Sequence, residues 1–279
     1  MTSLTSLVEN SHTICHTTCP TTYSTFLLGH RGARGERLEN SREGFVHTHH
    51  LSRHSQGRLV GIEFDVQLTQ DDKLVVFHDD TMLRLFSKQS RIDQCTAAEI
   101  QRLSGGAIML LEDMPKVLTD YCHIELEVKT HNRTHYAKLI QALKQCLSQS
   151  TFKQLPITLT SFDVQLHYYL QVDCLLSTFN RGLLVEPISS QSNPALMSTG
   201  QLLSHTIDTA LRLQCDAVGL YYPLFNESFV KECQRYGLST TAWTVNDSDY
   251  AKYLIKLGVN YLITDYPSVF LNNEILSIR

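Results

Sequence analysis

The sequence predicts an α/β fold: a (β/α)8 TIM barrel with a β-hairpin excursion and a long connection after the second strand. Three observations carry this. From residue 25 onward, short apolar strands alternate with longer amphipathic stretches, the pattern of parallel β/α units. Eight such strands can be counted, the number that closes a barrel. The 279 residues suit one domain of this kind, which typically needs about 250.

Residues 1–24 are rich in Thr and Ser and lack an apolar period, so they read as a flexible N-terminal tail. Residues 25–279 then form the barrel domain. Within the tail, His12, Cys15, His16 and Cys19 have spacings that a helix would bring to one side. A structural zinc site needs closed geometry, and an ordinary polar tail is the simpler reading. The expected staves are Thr25–Gly29, Gly61–Asp65, Ile124–Val128, Ile157–Ser161, Gly182–Val185, Ala217–Leu220, Thr240–Thr244 and Tyr261–Thr264. The segment Asn40–His54 predicts a helix capped by Asn40 or Ser41. Its His47, His49, His50 and His54 read as a solvated face, since clustered histidines without acids are weak evidence of a metal.

A further strand, Leu74–His78, follows the second stave after only Gln70-Asp71-Asp72-Lys73. A parallel crossover needs about a dozen residues, so this is a hairpin. If Thr69 pairs with Leu74, Asp65 pairs with His78, and the hairpin sets His78 beside the acids of the second stave. A one-residue slip would turn His78 to the other face. In the long connection that follows, Thr96-Ala97-Ala98-Glu99 predicts a helix start with a capping box.

Composition bounds the function. Apolar residues make up 42%, enough for a full core, and the net charge is −4. There is no basic stripe, which argues against a nucleic-acid partner. No apolar run approaches the roughly 18 residues that cross a bilayer. The start lacks a basic stretch followed by an apolar core, so cytoplasmic location is expected, with the eight cysteines as reduced thiols. Oligomeric state is not encoded in any pattern found.

Barrel enzymes place their chemistry at strand ends. His30 and Arg31 follow the first stave, Glu63 and Asp65 close the second, Glu127 and Lys129 the third, and Ser161-Phe162 the fourth. Two imidazoles give and take protons near neutral pH. Glu63 and Asp65, one residue apart, lie on one side of a strand. Three carboxylates crowded at a barrel mouth repel unless a cation sits among them, and a hard ion such as Mg²⁺ or Ca²⁺ suits oxygen ligands. Arg31 and Lys129 would then face phosphate oxygens. Glu125 also points inward, about 6 Å deeper, and reads as an interior partner of a cation.

These residues resemble the glycerophosphodiester phosphodiesterase family. The matching segments are Gly29-His30-Arg31-Gly32, Leu38-Glu39-Asn40-Ser41, Glu63-Phe64-Asp65-Val66 with Leu68-Thr69, Val75-Val76-Phe77-His78-Asp79, Glu127-Val128-Lys129, Ser161-Phe162, Ala242-Trp243-Thr244-Val245-Asn246 and Ile263-Thr264-Asp265-Tyr266-Pro267. In this order, over residues 26 to 270, they are highly specific. The resemblance implies metal-dependent hydrolysis of glycerophosphodiesters, such as glycerophosphocholine or glycerophosphoethanolamine, to sn-glycerol 3-phosphate and an alcohol. It implies that His30 and His78 are the catalytic pair, and that Glu63, Asp65 and Glu127 hold one divalent cation. Arg31 and Lys129 would contact phosphate, with Phe162 and Trp243 an aromatic wall near the glycerol end and Glu39 and Asn40 in support. Leu38 and Ser41 stand where the family usually has Pro and Thr, and Glu125 stands where it often has Asn.

Two other readings compete. A lysophospholipase D or sphingomyelinase D-like phosphodiesterase would share the barrel and site but need an apolar access surface. Leu224 and Phe225 are candidates for it, although a loop anchored on the core explains them more simply. A barrel that only binds a phosphorylated ligand would lack a histidine or carboxylate, and none of the set is missing.

Overall fold

The computed structural model describes residues 25–118, 120–187, 198–273 and 275; the His12, Cys15, His16 and Cys19 cluster lies outside them. The strands are β1 (Phe26–His30), β2 (Leu59–Leu68), β3 (Leu74–Val76), β4 (His123–Val128), β5 (Ile157–Ser161), β6 (Asn180–Val185), β7 (Ala217–Tyr221), β8 (Ser239–Trp243) and β9 (Tyr261–Thr264). Their order is β1-β9-β8-β7-β6-β5-β4-β2, and a β1–β2 pairing closes the ring. All these pairings are parallel; β3 alone runs antiparallel, on β2. The expected (β/α)8 barrel with a hairpin excursion is therefore the fold. No helix among the described residues is long and apolar enough to cross a membrane.

The two-residue period of the strands divides the core. On β2 and β4, Ile62, Phe64, Val66, Ile124, Leu126 and Val128 pack in one apolar cluster with Phe45, Leu139 and Leu143 of the surrounding helices. The alternate residues, Glu63, Asp65, Glu125 and Glu127, are left for the barrel interior. A second cluster, with Val218, Leu220, Ala242 and Leu262, seats the helices of the other half. Phe225 is buried in that cluster and Leu224 packs against it, so this loop is anchored on the core.

Helix starts follow their caps. The helix Arg42–His54 begins at Ser41, whose hydroxyl accepts from the Gly44 amide at 3.1 Å. The helix Ala97–Leu103 carries the expected capping box between Thr96 and Glu99. The histidines of the first helix do not converge. His47 meets Glu36 at 2.6 Å and His49 meets Asp120 at 3.5 Å, while His50 and His54 have ring centroids 4.5 Å apart.

The hairpin departs from expectation. Leu68 pairs with Leu74 and Val66 with Val76, one residue off the Thr69–Leu74 register. Thr69 is drawn into the turn instead: its hydroxyl donates to Asp71 at 2.6 Å and accepts from the Lys73 amide at 3.0 Å. Asp65 consequently lies opposite Phe77, whose amide donates to the Asp65 carbonyl at 3.1 Å. The strand ends at Val76, so His78 is not set by the ladder. Gln67 sets it, donating from Nε2 to the carbonyls of Phe77 (2.9 Å) and Asp79 (2.8 Å) on either side. Behind the hairpin, Val75, Phe77, Met82, Ile92, Ile100 and Ile108 form a small core of the excursion's own.

At the closure of the ring, the β1–β2 register jumps from Leu27↔Leu59 to Leu28↔Gly61, leaving Val60 as a β-bulge. A Cβ at Gly61 would fall 1.7 Å from the His123 carbonyl oxygen, so the backbones there approach as only glycine permits. Gly61→Ala is expected to destabilise the fold by about 1–3 kcal/mol or more, read as a lower urea midpoint; an unchanged midpoint would contradict the packing described.

Candidate active site

The β1–β2–β4 ends of the barrel gather the charged residues. After His30 the chain turns sharply, with Arg31 at φ 49°, Gly32 at φ 90° and Ala33 at φ 126°. A Cβ at Gly32 would meet Phe45 at 2.9 Å. The positive φ of the two non-glycine residues is a conformation held by its surroundings. The turn aims the Arg31 amide at Glu63 Oε2 (3.1 Å) and wraps the Arg31 side chain back over the acids. Its Nη1 donates to Glu39 at 2.8 Å and its Nε lies 3.2 Å from Asp65 Oδ2 as an ion pair outside hydrogen-bond geometry. Asn40 Nδ2 donates to the same Asp65 oxygen at 2.9 Å. Glu39 and Asn40 thus brace Arg31 and Asp65.

Glu63, Asp65 and Glu127 are buried and offer one oxygen each, all within 4.8 Å of one another. Burial and the repulsion of Asp65 and Glu127 push the Glu63 carboxyl far up. Burial pushes Glu127 up to about 7. Asp65 is equally buried, but Lys129 and Arg31 hold it ionised well below the usual carboxylate range. Lys129 Nζ contacts Glu127 and lies 3.0 Å from Asp65 Oδ1, again as an ion pair without hydrogen-bond geometry. Three crowded, buried carboxylates and one buried carboxylate oxygen without a hydrogen bond make a negatively charged, oxygen-only set. An all-oxygen set of this kind fits a hard divalent ion.

Both histidines are oriented by carboxylates that sequence reasoning gave no role. His30 Nδ1 meets Asp265 Oδ1 at 2.6 Å, and Asn246 Nδ2 fixes the other Asp265 oxygen at 2.8 Å. His78 Nδ1 meets Asp79 Oδ1 at 2.7 Å. An ionised carboxylate only accepts, so Nδ1 carries the proton in each ring and Nε2 keeps its lone pair. Burial lowers both imidazoles below their ordinary range, against the pull of these acids. Arg84, on the excursion's helix Leu83–Phe86, ties the halves together. It donates to Asp79 at 2.7 and 2.9 Å and to Glu39 at 2.8 and 2.6 Å. Asp79 and Asp265 were detectable as acids directly after a histidine or a strand end; Arg84, reaching across 45 residues to Glu39, left no local signal.

His30, Arg31, Glu63, His78, Glu127, Lys129, Phe162 and Trp243 all line one cavity of about 400 Å³. Glu39 and Asn40 stand behind it. Arg31 and Lys129 reach it while already engaged with carboxylates, where the sequence reading had turned them to phosphate. Phe162 and Trp243 rings meet edge to face, centroids 5.3 Å apart. Glu125 departs from expectation: it accepts from Thr241 Oγ1 at 2.6 Å and meets His123 at 3.3 Å, with no Lys or Arg partner among the described residues. Thr160 also lines the cavity, and its buried Oγ1 has no hydrogen-bond partner.

A profile of the glycerophosphoryl diester phosphodiesterase family matches residues 30–269. A glycerophosphodiester phosphodiesterase of Caldanaerobacter subterraneus is 26% identical over 260 residues, covering 89% of this chain and 97% of that one. The crystal structure of a glycerophosphodiester phosphodiesterase from Thermotoga maritima superposes with a TM-score of 0.69 at 22% identity, covering 89% and 98% of the two chains. A phosphodiesterase of Oleispira antarctica, solved with its product sn-glycerol-3-phosphate, gives a TM-score of 0.72 at 22% identity over 91% and 97%.

Arg84 and His78 together hold Asp79 at about 2, against burial. An Asp depressed from its unfolded value of about 3.9 adds stability above that pH and loses it as pH falls through the folded value. In Arg84→Met the Asp79 carboxyl should titrate higher by NMR, and acid unfolding followed by circular dichroism should begin at higher pH. Coincident acid transitions would mean that the clamp is not formed.

Proposed function

The chain belongs to the glycerophosphoryl diester phosphodiesterase family, and from that membership we propose that it hydrolyses glycerophosphodiesters to sn-glycerol 3-phosphate and an alcohol, with His30 and His78 as acid and base and a divalent cation held by Glu63, Asp65 and Glu127. The observation that carries this reading is the pair of histidines, each anchored through Nδ1 to a carboxylate, lining one cavity with Glu63 and Glu127, with Asp65 buried within 4.8 Å of both. When bound, Mg²⁺ or Ca²⁺ would supply charge neutralisation and polarise the phosphoryl group.

The chain's own residues do the rest. Asp265 and Asp79 keep each imidazole in the tautomer whose Nε2 accepts a proton, and stabilise the imidazolium once it forms. One imidazole takes the proton of the attacking hydroxyl, from water or from the substrate's own glycerol; in the second case a cyclic phosphate forms, and water then opens it to the monoester with the two imidazoles in exchanged roles. The other, protonated, delivers its proton to the departing alkoxide oxygen. Arg31 and Lys129 spread the negative charge that builds on the phosphoryl oxygens. The Arg31 turn, braced by Glu39 and Asn40, keeps that charge fixed in place during the reaction.

The deciding experiment is release of sn-glycerol 3-phosphate from glycerophosphocholine with EDTA, then with Mg²⁺ or Ca²⁺ restored separately. Activity that stops and returns with one ion supports the reading; activity indifferent to EDTA removes the cation from it. His30→Ala and His78→Ala should each lower kcat by about 10² to 10⁴, and the wild-type rate should be bell-shaped in pH because the two rings must be in opposite protonation states. Because Glu127 sits at about 7 and ligates only when ionised, divalent-ion affinity measured by calorimetry should weaken as pH falls through that value. Affinity that is flat from pH 8 to 6 would mean that Glu127 is not raised in this way.

A further inference from the structure

The end of β4 carries Glu127 and Lys129 with Val128 between them, and its ladder to β5 stops at Glu127↔Thr160. Beyond that point the strand end is tied by single hydrogen bonds. On the β2 side, the Lys129 amide donates to the Val66 carbonyl at 2.9 Å. The carbonyl of the same peptide, from Val128, points the other way. It accepts from the Ser161 hydroxyl at 2.9 Å. Ser161 is the last residue of β5 and is 2% exposed. Its Oγ also accepts from the Asp163 amide at 3.2 Å, so the hydroxyl is held at both its proton and its lone pair.

The Ser161 carbonyl is held in turn by a histidine that no step above uses. His167 lies on the helix Val164–Val172, buried with Leu166 and Leu170 on its inner face. A carbonyl only accepts, so the His167 Nε2 that meets it at 3.1 Å carries the proton. Nδ1 then keeps its lone pair, and the Cys215 Sγ lies 3.8 Å from it as a thiol donor. Burial lowers the imidazole below its ordinary range and pushes the Cys215 thiol up to about 12, so both groups are neutral. An imidazole on an apolar helix face is costly unless its nitrogens are partnered, and here both are. A leucine at this position could fill the space but could not hold the Ser161 carbonyl.

We propose that Ser161 and His167 are positioning residues for the charged side of the cavity: Ser161 fixes the strand end that carries Glu127 and Lys129, and His167 fixes Ser161. This rests on the cation-dependent hydrolase reading above and adds residues that act on the site through the backbone. The hydrogen bonds run in one direction, from the Cys215 thiol to His167, from His167 to the Ser161 carbonyl, and from the Ser161 hydroxyl to the Val128 carbonyl. Glu127 and Lys129 flank that last acceptor, and both line the cavity. Loss of the Ser161 bond therefore frees a carboxylate and its paired cation together, where a tie to either side chain alone would affect one. Outer partners of this kind orient the groups that hold a metal.

The test measures Mg²⁺ and Ca²⁺ affinity by calorimetry alongside the urea midpoint of each variant. Ser161→Ala should weaken ion affinity about 10-fold, and Ser161→Thr, which keeps the hydroxyl, should restore most of it. His167→Leu should weaken it several-fold, and His167→Gln, whose side-chain amide can donate to the same carbonyl, less so. Leu170→Ala is the control: it strips packing from the same buried helix face but has no hydrogen bond to Ser161, so the urea midpoint should fall while ion affinity holds. Wild-type affinity in Ser161→Ala, or equal losses in His167→Leu and Leu170→Ala, overturns the positioning role and leaves the hydrolase reading standing. The expected affinities in a protein that does not turn over glycerophosphocholine would instead remove the hydrolase reading and keep the positioning role. The wild type gives an independent check by ¹⁵N NMR, in which His167 should be the Nε2–H tautomer; a proton on Nδ1 overturns its part in the chain of bonds.

Discussion

Three carboxylates that want to be apart are held together at the mouth of this barrel, and the surrounding structure answers that repulsion. Glu63 and Asp65 share a face because β2 is a strand with a two-residue period, and Glu127 joins them because β4 pairs beside β2 with Asp65 opposite Glu127. Everything polar nearby is arranged on that triangle. Arg31 folds back over it, Lys129 reaches into it, and Asn40 donates to it. The turn after β1 adopts left-handed backbone at non-glycine residues to bring the Arg31 amide to Glu63. Burial and the neighbouring acids raise the Glu63 and Glu127 carboxyls, while Lys129 and Arg31 hold Asp65 ionised.

Much of this was legible in the sequence because it is local. A strand's period puts Glu63 and Asp65 on one face whatever the rest of the fold does, and the alternation of apolar strands with amphipathic stretches implies the barrel. Caps at Ser41 and Thr96 were readable for the same reason. What was not legible depends on contacts between distant residues. The hairpin register turned on whether Thr69 joined the ladder or the turn, and two side-chain hydrogen bonds decided it. Inward-facing Glu125 was recognisable, but its partners, Thr241 and His123, come from β8 and from its own strand. Arg84 carried no periodic or motif signal, because its role arises only once the excursion folds back over Glu39.

The barrel divides its labour by position around the ring. Staves β1, β2 and β4 carry charge and its compensation, while β5 to β8 carry threonine and aromatic side chains toward the interior. Thr160 beside the cavity and Trp243 at its wall both keep a buried polar atom without a protein partner.

The Arg84 clamp has a consequence for cooperativity. His78 and its orienting Asp79 belong to a segment with its own small core, joined to the barrel by the β2–β3 ladder, by the Phe77–Asp65 backbone hydrogen bond, by Gln67, by Arg133 and by the Arg84 guanidinium. That segment is a candidate foldon, able to open at lower free energy than the barrel staves. The constellation of two histidines around three acids is then a property of two cooperative units in register with each other. Opening of the smaller one would dismantle the site while every stave remains paired, so the local stability of the excursion bears on the fraction of molecules competent to react.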